Sequence, residues 1–458
     1  MTPSWVLLDN DVGLCFKEED GEAAAVEAVA AEKNKGVVAA AQPLEFLWDS
    51  TIPFLGSMTP EAILQQPPKI STIRLRSSKP RRDAAGVALD AVVACADKSL
   101  LVLYGGNYTG PGSSPRGCYL IYDAAMSGRG GALTLTSMVP PLPLSCYLTC
   151  IGAGAIALRS HPPSSSYLLA ELAAHPERRV PDAELYLWRS DSPAPQWEKK
   201  AVRLPEEVRW APDKYNFCID IAFSFDNSLC WVDLLQGLVV CHNPLGQQDP
   251  QFRFIKLPDG CPPVSISKYP YRPRILEFRT AAWVAGAIKL VALEGYLEDW
   301  DSQQFRLVTW TLTPDLSEWK KCAVFNLTGI WASERYLALK MEQHTPVCPV
   351  LSPLDDGVVY AVVNDVEVHN IVQGFEVLET KVDVKGQYVL GLDMARNKVI
   401  SIDGGRPAAD TVQLTPTLIP TVFCSWLQSP KDRQVHPHFN TVCDYFPTAN
   451  CMLSLIFI

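Results

Sequence analysis

The sequence has no apolar run near the ~20 residues needed to cross a bilayer. Its first stretch, MTPSWVLLDNDVG, lacks a basic segment leading into an apolar one. The expectation is a chain that is not secreted and has no membrane partner, sited in the cytoplasm or nucleus. A basic surface is lacking too: 40 Lys and Arg against 50 Asp and Glu leave a net charge of −10. Binding to phosphates relies on the opposite sign, so no nucleic-acid partner is expected. No Cys-x-x-Cys occurs among the 14 cysteines. The closest pair, Cys146 and Cys150 in CYLTC, reads as two small core residues. Without an export signal the thiols stay reduced, and the sequons at Asn107 and Asn326 go unglycosylated.

Catalytic motifs are missing as well. There is no Gly-x-Ser-x-Gly elbow and no His-Glu-x-x-His. Of 7 histidines, His436 and His438 stand as HPH without an evident third ligand, and zinc takes three or four. Cys241 and His242 are neighbours on a strand, where successive side chains point to opposite faces, so they form no dyad. The segment GGNYTGPGSSPRG, residues 105–117, follows a strand but lacks the lysine, hydroxyl and helix of a phosphate loop. It reads as a surface loop, with Asn107 and Arg116 as candidate contacts. The expectation is no enzyme, no cofactor and no metal.

What the sequence has is proline and glycine, 37 and 27 residues spread along the chain. That favours many short strands and turns. One segment is helix-prone: GEAAAVEAVAAEKNKG, residues 21–36, with acids early and lysines late. Its small side chains bury little, so it reads as a surface insertion. Residues 42–68 read as irregular. RLRSSKPRR, residues 74–82, reads as a solvated basic loop, with a nuclear signal as the functional alternative.

An internal repeat fixes the architecture. LYLWRSDSPAPQWEKKAVRLP from Leu185 aligns with LVTWTLTPDLSEWKKCAVFNL from Leu307. Trp188 matches Trp310 and Trp197 matches Trp319. Looser copies start at Cys118 and Gly237, and a fifth is expected at Val366, in VEVHNIVQGFEVLE. Each reads as strand, turn-rich loop, strand. The two rings of each Trp hairpin are expected within packing distance across the strand pair. NSLCWVDLLQGLVVCHNP, residues 227–244, reads as a hairpin whose strands are buried on both faces, because a helix would hold Gly237 near its middle. Further hairpins turn at Gly286 and at residues 395–397, and DDGVVYAVVND, residues 355–365, reads as one strand between acidic turns. The expected fold class is all-β and β-propeller-like (of the kelch or F-box-associated kind), a ring of about five to seven blades with one Ala-rich helical insertion. The expected divisions are 1–90, 91–428 for the repeat domain and 429–458 for an atypical tail.

PSWVLLD, CWVDLLQGLVVC, FRTAAWVAGAIKLVALEG and YVLGLDMARNKVISI together resemble the plant family called domain of unknown function 1618, which is expanded in grasses. The resemblance runs over most of residues 3–403. It implies an all-β, propeller-like module, sometimes joined to an F-box, with no catalytic residues. His242 stands where family members often carry an acid. The Ala-rich insertion and the tail also depart, and no F-box pattern precedes the domain.

The expected function is a non-enzymatic scaffold whose loops bind a protein partner. Acids at Glu298, Asp299 and Asp301, and at Asp355 and Asp356, are its candidate contacts. The alternative is a carbohydrate-binding or hydrolytic propeller that uses these carboxylates, which requires Asp299, Asp301, Asp355 and Asp356 to converge in one pocket.

Overall fold

The computed structural model describes residues 3–17, 53–79, 91–107, 116–126, 133–140, 142, 149–150, 156–159, 166–174, 182–208, 217–246, 249–261, 272–298, 300–373, 376–406 and 413–427. The Ala-rich segment, most of the Gly-rich loop, Asp299, both HPH histidines and the C-terminal tail lie outside them.

The chain is all-β, with a few short helices, and the described strands fall into five sheets. The first joins β1 (Val6–Cys15), β2 (Thr59–Ile63) and β3 (Ile70–Arg76) to β4 (Ala91–Asp97), β5 (Leu100–Asn107), β6 (Arg116–Asp123) and β7 (Leu135–Val139). The second holds β8 (Thr149–Cys150), β9 (Ile156–Arg159), β10 (Tyr167–Ala174), β11 (Asp182–Arg189) and β12 (Trp197–Arg203). Three four-stranded antiparallel meanders follow: β13 (Ile221–Phe225), β14 (Ser228–Asp233), β15 (Gly237–His242) and β16 (Gln251–Lys256); β17 (Arg279–Val284), β18 (Ala287–Glu294), β19 (Arg306–Leu312) and β20 (Trp319–Asn326); β21 (Val347–Leu351), β22 (Val358–Gln373), β23 (Glu376–Asp393) and β24 (Lys398–Gly405). The final strand, β25 (Leu418–Thr421), pairs antiparallel with β1.

One strand of each sheet lies beside a strand of the next: β4 by β9, β9 by β13, β13 by β17, β17 by β21, and β21 by β25, which belongs to the first sheet again. The faces between sheets are filled with side chains. Leu229 and Trp231 of β14 pack toward the second sheet, while Cys230 and Val232 pack toward the fourth. Every residue of β14 is buried, which is why its sequence reads as a continuous apolar run. β1 behaves the same way. Trp5 and Leu7 pack with Tyr360 and Val362 of the fifth sheet, and Val6 and Leu8 pack with Leu101 and Leu103 of the first. So β1, which precedes residue 91, is wedged between strands from both halves of the chain.

The repeat copies from Cys118, Leu185, Gly237 and Leu307 are the third and fourth strands of their sheets: β6 and β7, β11 and β12, β15 and β16, β19 and β20. The turns at Ala285–Gly286 and at Asn397 form as expected, with φ of 51°, 81° and 52°. Cys241 is buried and His242 exposed on β15, as strand alternation requires.

Several expectations need correction. The copy placed at Val366 is out of phase: it spans the connection between the second and third strands of its sheet, not the third and fourth. Asp365 is not a turn. β22 continues through a bulge at Asp365/Val366 to Gln373, because β23 supplies a partner all along it. Residues 42–68 are not wholly irregular, since β2 forms as an edge strand on β3, where Pro60 needs to donate no ladder bond. RLRSSKPRR begins as strand: Arg74 and Arg76 end β3, and Arg76 pairs with Glu61 at 2.9 Å.

The second Trp hairpin also differs. Trp188 and Trp197 are direct cross-strand partners with ring centroids 5.8 Å apart at 62°. In the other hairpin, Trp310 stands opposite Lys321 and Trp319 opposite Leu312, with a register shift beside Thr309.

Candidate functional site

Antiparallel meanders send their connections alternately to two ends. In the fourth sheet the β17–β18 and β19–β20 turns share one end, and the β18–β19 loop lies at the other. The fifth sheet runs the same way beside it. Lys289, near the start of β18, pairs with Asp356 in the β21–β22 turn. At the far end Gln303 of the β18–β19 loop donates to Gln343, ahead of β21, at 3.1 Å.

This separates the candidate acids. Asp355 and Asp356 sit at the first end. Asp355 accepts from the Ser352 hydroxyl at 3.3 Å, and Asp356 holds Lys289. Glu298 and Asp301 sit at the second end. Glu298 accepts from the Gly295 amide at 2.8 Å, and Asp301 caps a short 3-10 turn through the Gln303 amide at 2.9 Å. Among the described residues, the length of β18 divides the two pairs. Asn107 and Arg116 are cross-strand partners at the β5–β6 connection, in the first sheet.

The second end of the fourth sheet carries more than acids. The backbone reverses at Gly295, φ +102°, a conformation that side chains rarely adopt. A Cβ there would lie 2.8 Å from both Phe305 and Trp300, so the loop closes directly on the glycine. Tyr296 stacks on Phe278 with centroids 4.1 Å apart and meets the edge of Phe305 at 5.9 Å. The Arg306 guanidinium lies 5.2 Å from the Trp300 ring centre, and its Nε donates to the buried Glu294 carboxylate at 2.6 Å. Tyr296 and Trp300 remain 41% and 38% exposed. Reading the sequence picked the acids of this loop and missed its rings. The signal was in GYLEDWD, where two aromatics alternate with carboxylates in a turn.

The neighbouring third sheet holds a buried charge network near the same kind of connection. Arg272 bonds Asp220 at 2.6 Å and Asp233 at 3.0 Å. Asp233 is fully buried and also accepts from the amides of Cys218 and Leu235 at 2.8 and 2.7 Å. Asp220 accepts from the Leu234 amide at 2.8 Å. Burial pushes the Asp220 carboxyl up to about 7, against the pull of Arg272. With its oxygens bonded to backbone and guanidinium, the network is a staple across three segments.

Glu171 on β10 is different. It is buried, and its Oε1 has no hydrogen-bond partner among the described residues. Burial pushes its carboxyl up to about 8. The described thiols are free, and burial raises that of Cys118 to about 12. Among the described residues no group of three His, Cys, Asp or Glu side chains is arranged to hold a metal ion. An open cleft of about 480 Å³ lies elsewhere, lined in part by Gln66, Lys69, Arg335 and Asp403.

The model of a family described as "Protein of unknown function (DUF1618)" matches residues 231–360. Residues 231–360 are thus similar to that family. That region opens at Trp231 in β14 and closes at Tyr360 in β22, so it contains Arg272, the whole fourth sheet and the aromatic loop. It is narrower than the resemblance over residues 3–403. No curated protein matches the chain. Among solved structures, the chain is similar to a post-proline cleaving enzyme from Rickettsia typhi, at 13% identity and TM-score 0.25, over 68% of this chain and 42% of that one. It is similar to a GH32 β-fructofuranosidase from Bombyx mori in complex with sucrose, at 11% identity and TM-score 0.30, over 69% and 63%. A europium-containing methanol dehydrogenase follows at 9% identity and TM-score 0.27, over 69% and 74%. The chain thus spans under two thirds of the length of the first two. Scores this low carry no argument about the DUF1618 region or the sheets around it.

Proposed function

We propose that this chain is a non-enzymatic scaffold, a propeller-like ring of six units that binds a protein partner through one end. The ring reading is supported by the chain of strand adjacencies from β4 to β25, and by β1. That strand packs on the fifth sheet with one face and on the first with the other. The sixth unit is then β25, β1, β3 and β2, in which strands from near the two ends of the sequence pair.

One observation carries the binding reading. β21 pairs with β22 only between Val347↔Val362 and Leu351↔Val359, and β24 pairs with β23 only from Gln387 onward. Beyond Asp365 and Gly386 the two long strands continue as a two-stranded ribbon. Glu367 pairs with Lys385 at 2.7 Å, and Val382 is 41% exposed. A ribbon that leaves its own sheet, with valine on its surface, is available to another protein through its apolar face and its free edges. The carbohydrate-binding or hydrolytic alternative depends on loop acids that lie at opposite ends of β18. An intracellular setting, cytoplasm or nucleus, is consistent with the free thiols.

The test is affinity purification with mass spectrometry from native tissue. Wild type is compared with a chain whose ribbon is cut back to an Asn-Gly turn between Asp365 and Lys385. The expected result is a partner recovered with wild type and lost with the shortened chain, at unchanged thermal stability. Equal recovery from both, or no partner at all, contradicts the proposal.

A further inference from the structure

We infer that the β18–β19 loop is a docking site for a basic peptide segment of the partner, in which Tyr296 and Trp300 receive lysine or arginine side chains and Glu298 and Asp301 face their charges. The inference rests on the protein-binding reading and adds the chemistry of the partner.

The rings are exposed and also held. Tyr296 is fixed on one side by Phe278 and at its edge by Phe305. Trp300 is seated against Gly295, whose missing side chain lets the ring approach. Rings immobilised before binding lose little conformational freedom on contact, which is the property of interface anchors. The protein's own Arg306 guanidinium takes part of the Trp300 ring, 5.2 Å from its centre, and the partner's cation meets the exposed remainder.

Charge selects the occupant. Between Gly295 and Phe305 the sequence carries Glu298, Asp299 and Asp301 and no basic residue. Arg306 is matched by Glu294, which also takes Lys321 at 3.5 Å. The loop therefore keeps a negative balance on a chain of net charge −10. Glu298 and Asp301 are bonded to backbone amides of the loop itself, which orients them without neutralising them. Aromatic faces ringed by carboxylates complement guanidinium and ammonium groups through both quadrupole and charge. An acidic or purely apolar partner would meet one of these and be opposed by the other.

The experiment titrates the full chain with a fluorescein-labelled (Arg-Gly)5 peptide at 150 mM salt. Tyr296→Ala with Trp300→Ala keeps the net charge and should weaken binding by about tenfold or more. Tyr296→Phe with Trp300→Phe, which preserves the rings and guards against misfolding, should retain most of it. Glu298→Gln with Asp301→Asn should weaken binding and flatten its salt dependence. Asp355→Asn with Asp356→Asn removes the same charge from the opposite end and should change little. Binding that ignores the rings, or falls equally with the opposite-end pair, overturns the inference. So does ring-dependent binding of a neutral oligosaccharide such as cellohexaose in place of the peptide. Loss of peptide binding with ribbon-dependent partner recovery intact would sink this site alone. The reverse outcome would sink the ribbon reading and leave this site standing.

Discussion

The second and fourth sheets share a repeated Trp hairpin and use it differently. In β11 and β12, Trp188 and Trp197 face each other edge to face. In β19 and β20 the register closes further in. The turn after Leu312 is tight, with Leu316 donating to the Thr313 carbonyl at 2.8 Å and Thr313 to the Glu318 carbonyl at 2.9 Å. The matching loop of the second sheet holds Pro193 and Pro195 where the tight turn has Asp315 and Ser317, and Trp188 pairs directly with Trp197. What both hairpins keep is a bond between sheets. Trp197 Nε1 donates to the Pro140 carbonyl at 2.8 Å, just past β7. Trp319 Nε1 donates to the Lys256 carbonyl at 2.9 Å, at the end of β16. Each ring ties the outer strand of its sheet to the outer strand of the sheet before it. The repeat therefore preserves a contact between successive sheets, and the contact within each hairpin is free to vary.

The largest effect expected is on the inner rings. Trp188→Ala and Trp310→Ala should each cost about 3 to 5 kcal/mol, because both rings are buried. Urea unfolding measures this. The comparison sharpens in a double-mutant cycle: Trp188 with Trp197 should couple by about 0.5 to 1.5 kcal/mol, the worth of an edge-to-face pair, and Trp310 with Trp319 by close to nothing. Equal coupling in both would mean that the register difference is unimportant.

A second difference separates the same two sheets. Counting two residues along from the partner of each inner Trp reaches Glu171 in β10 and Ala292 in β18. The Glu171 carboxyl is raised from 4.5 to about 8 by burial. A folded-state value above the unfolded one means a stabilising contribution that is full below about pH 4.5 and lost as pH rises through about 8. Glu171→Gln should therefore stabilise the protein on the order of 3 kcal/mol at pH 7, with the gain fading toward pH 4.5. Melting curves at the two pH values test it. A variant that is less stable at pH 7 would mean the carboxylate has a partner worth more than its burial costs.

Smaller still is the bond between sheets. Trp197→Phe and Trp319→Phe keep most of each ring and remove the donor, and each should cost about 0.5 to 1.5 kcal/mol. Similar values for both would support one shared role, and a large disparity would break it.

Much of the frame was legible because it is local. A continuous apolar run such as SLCWVD gave a strand buried on both faces, and paired tryptophans gave the third and fourth strands. The pairing of β1 with β25 was not legible, since Val6 and Thr421 are some 400 residues apart and meet only in the folded chain. Nor was the ribbon, because Asp365 carries the residue type of a turn and only its partner strand keeps it extended. The Arg272 staple draws on residues 39 and 52 positions away. The aromatic loop was half legible: its acids stood out, and its rings did not, because their exposure depends on the backbone reversal at Gly295.

Cross-linking mass spectrometry on complexes purified from native tissue tests most directly the claim that one end binds a protein. Lys340, after the short helices that follow β20, and Lys385, on the ribbon, mark that end. Lys98, in the β4–β5 turn, and Lys398, beside the β23–β24 turn, mark the other. The account predicts partner cross-links at Lys340 and Lys385. Cross-links concentrated at Lys98 and Lys398 would contradict it.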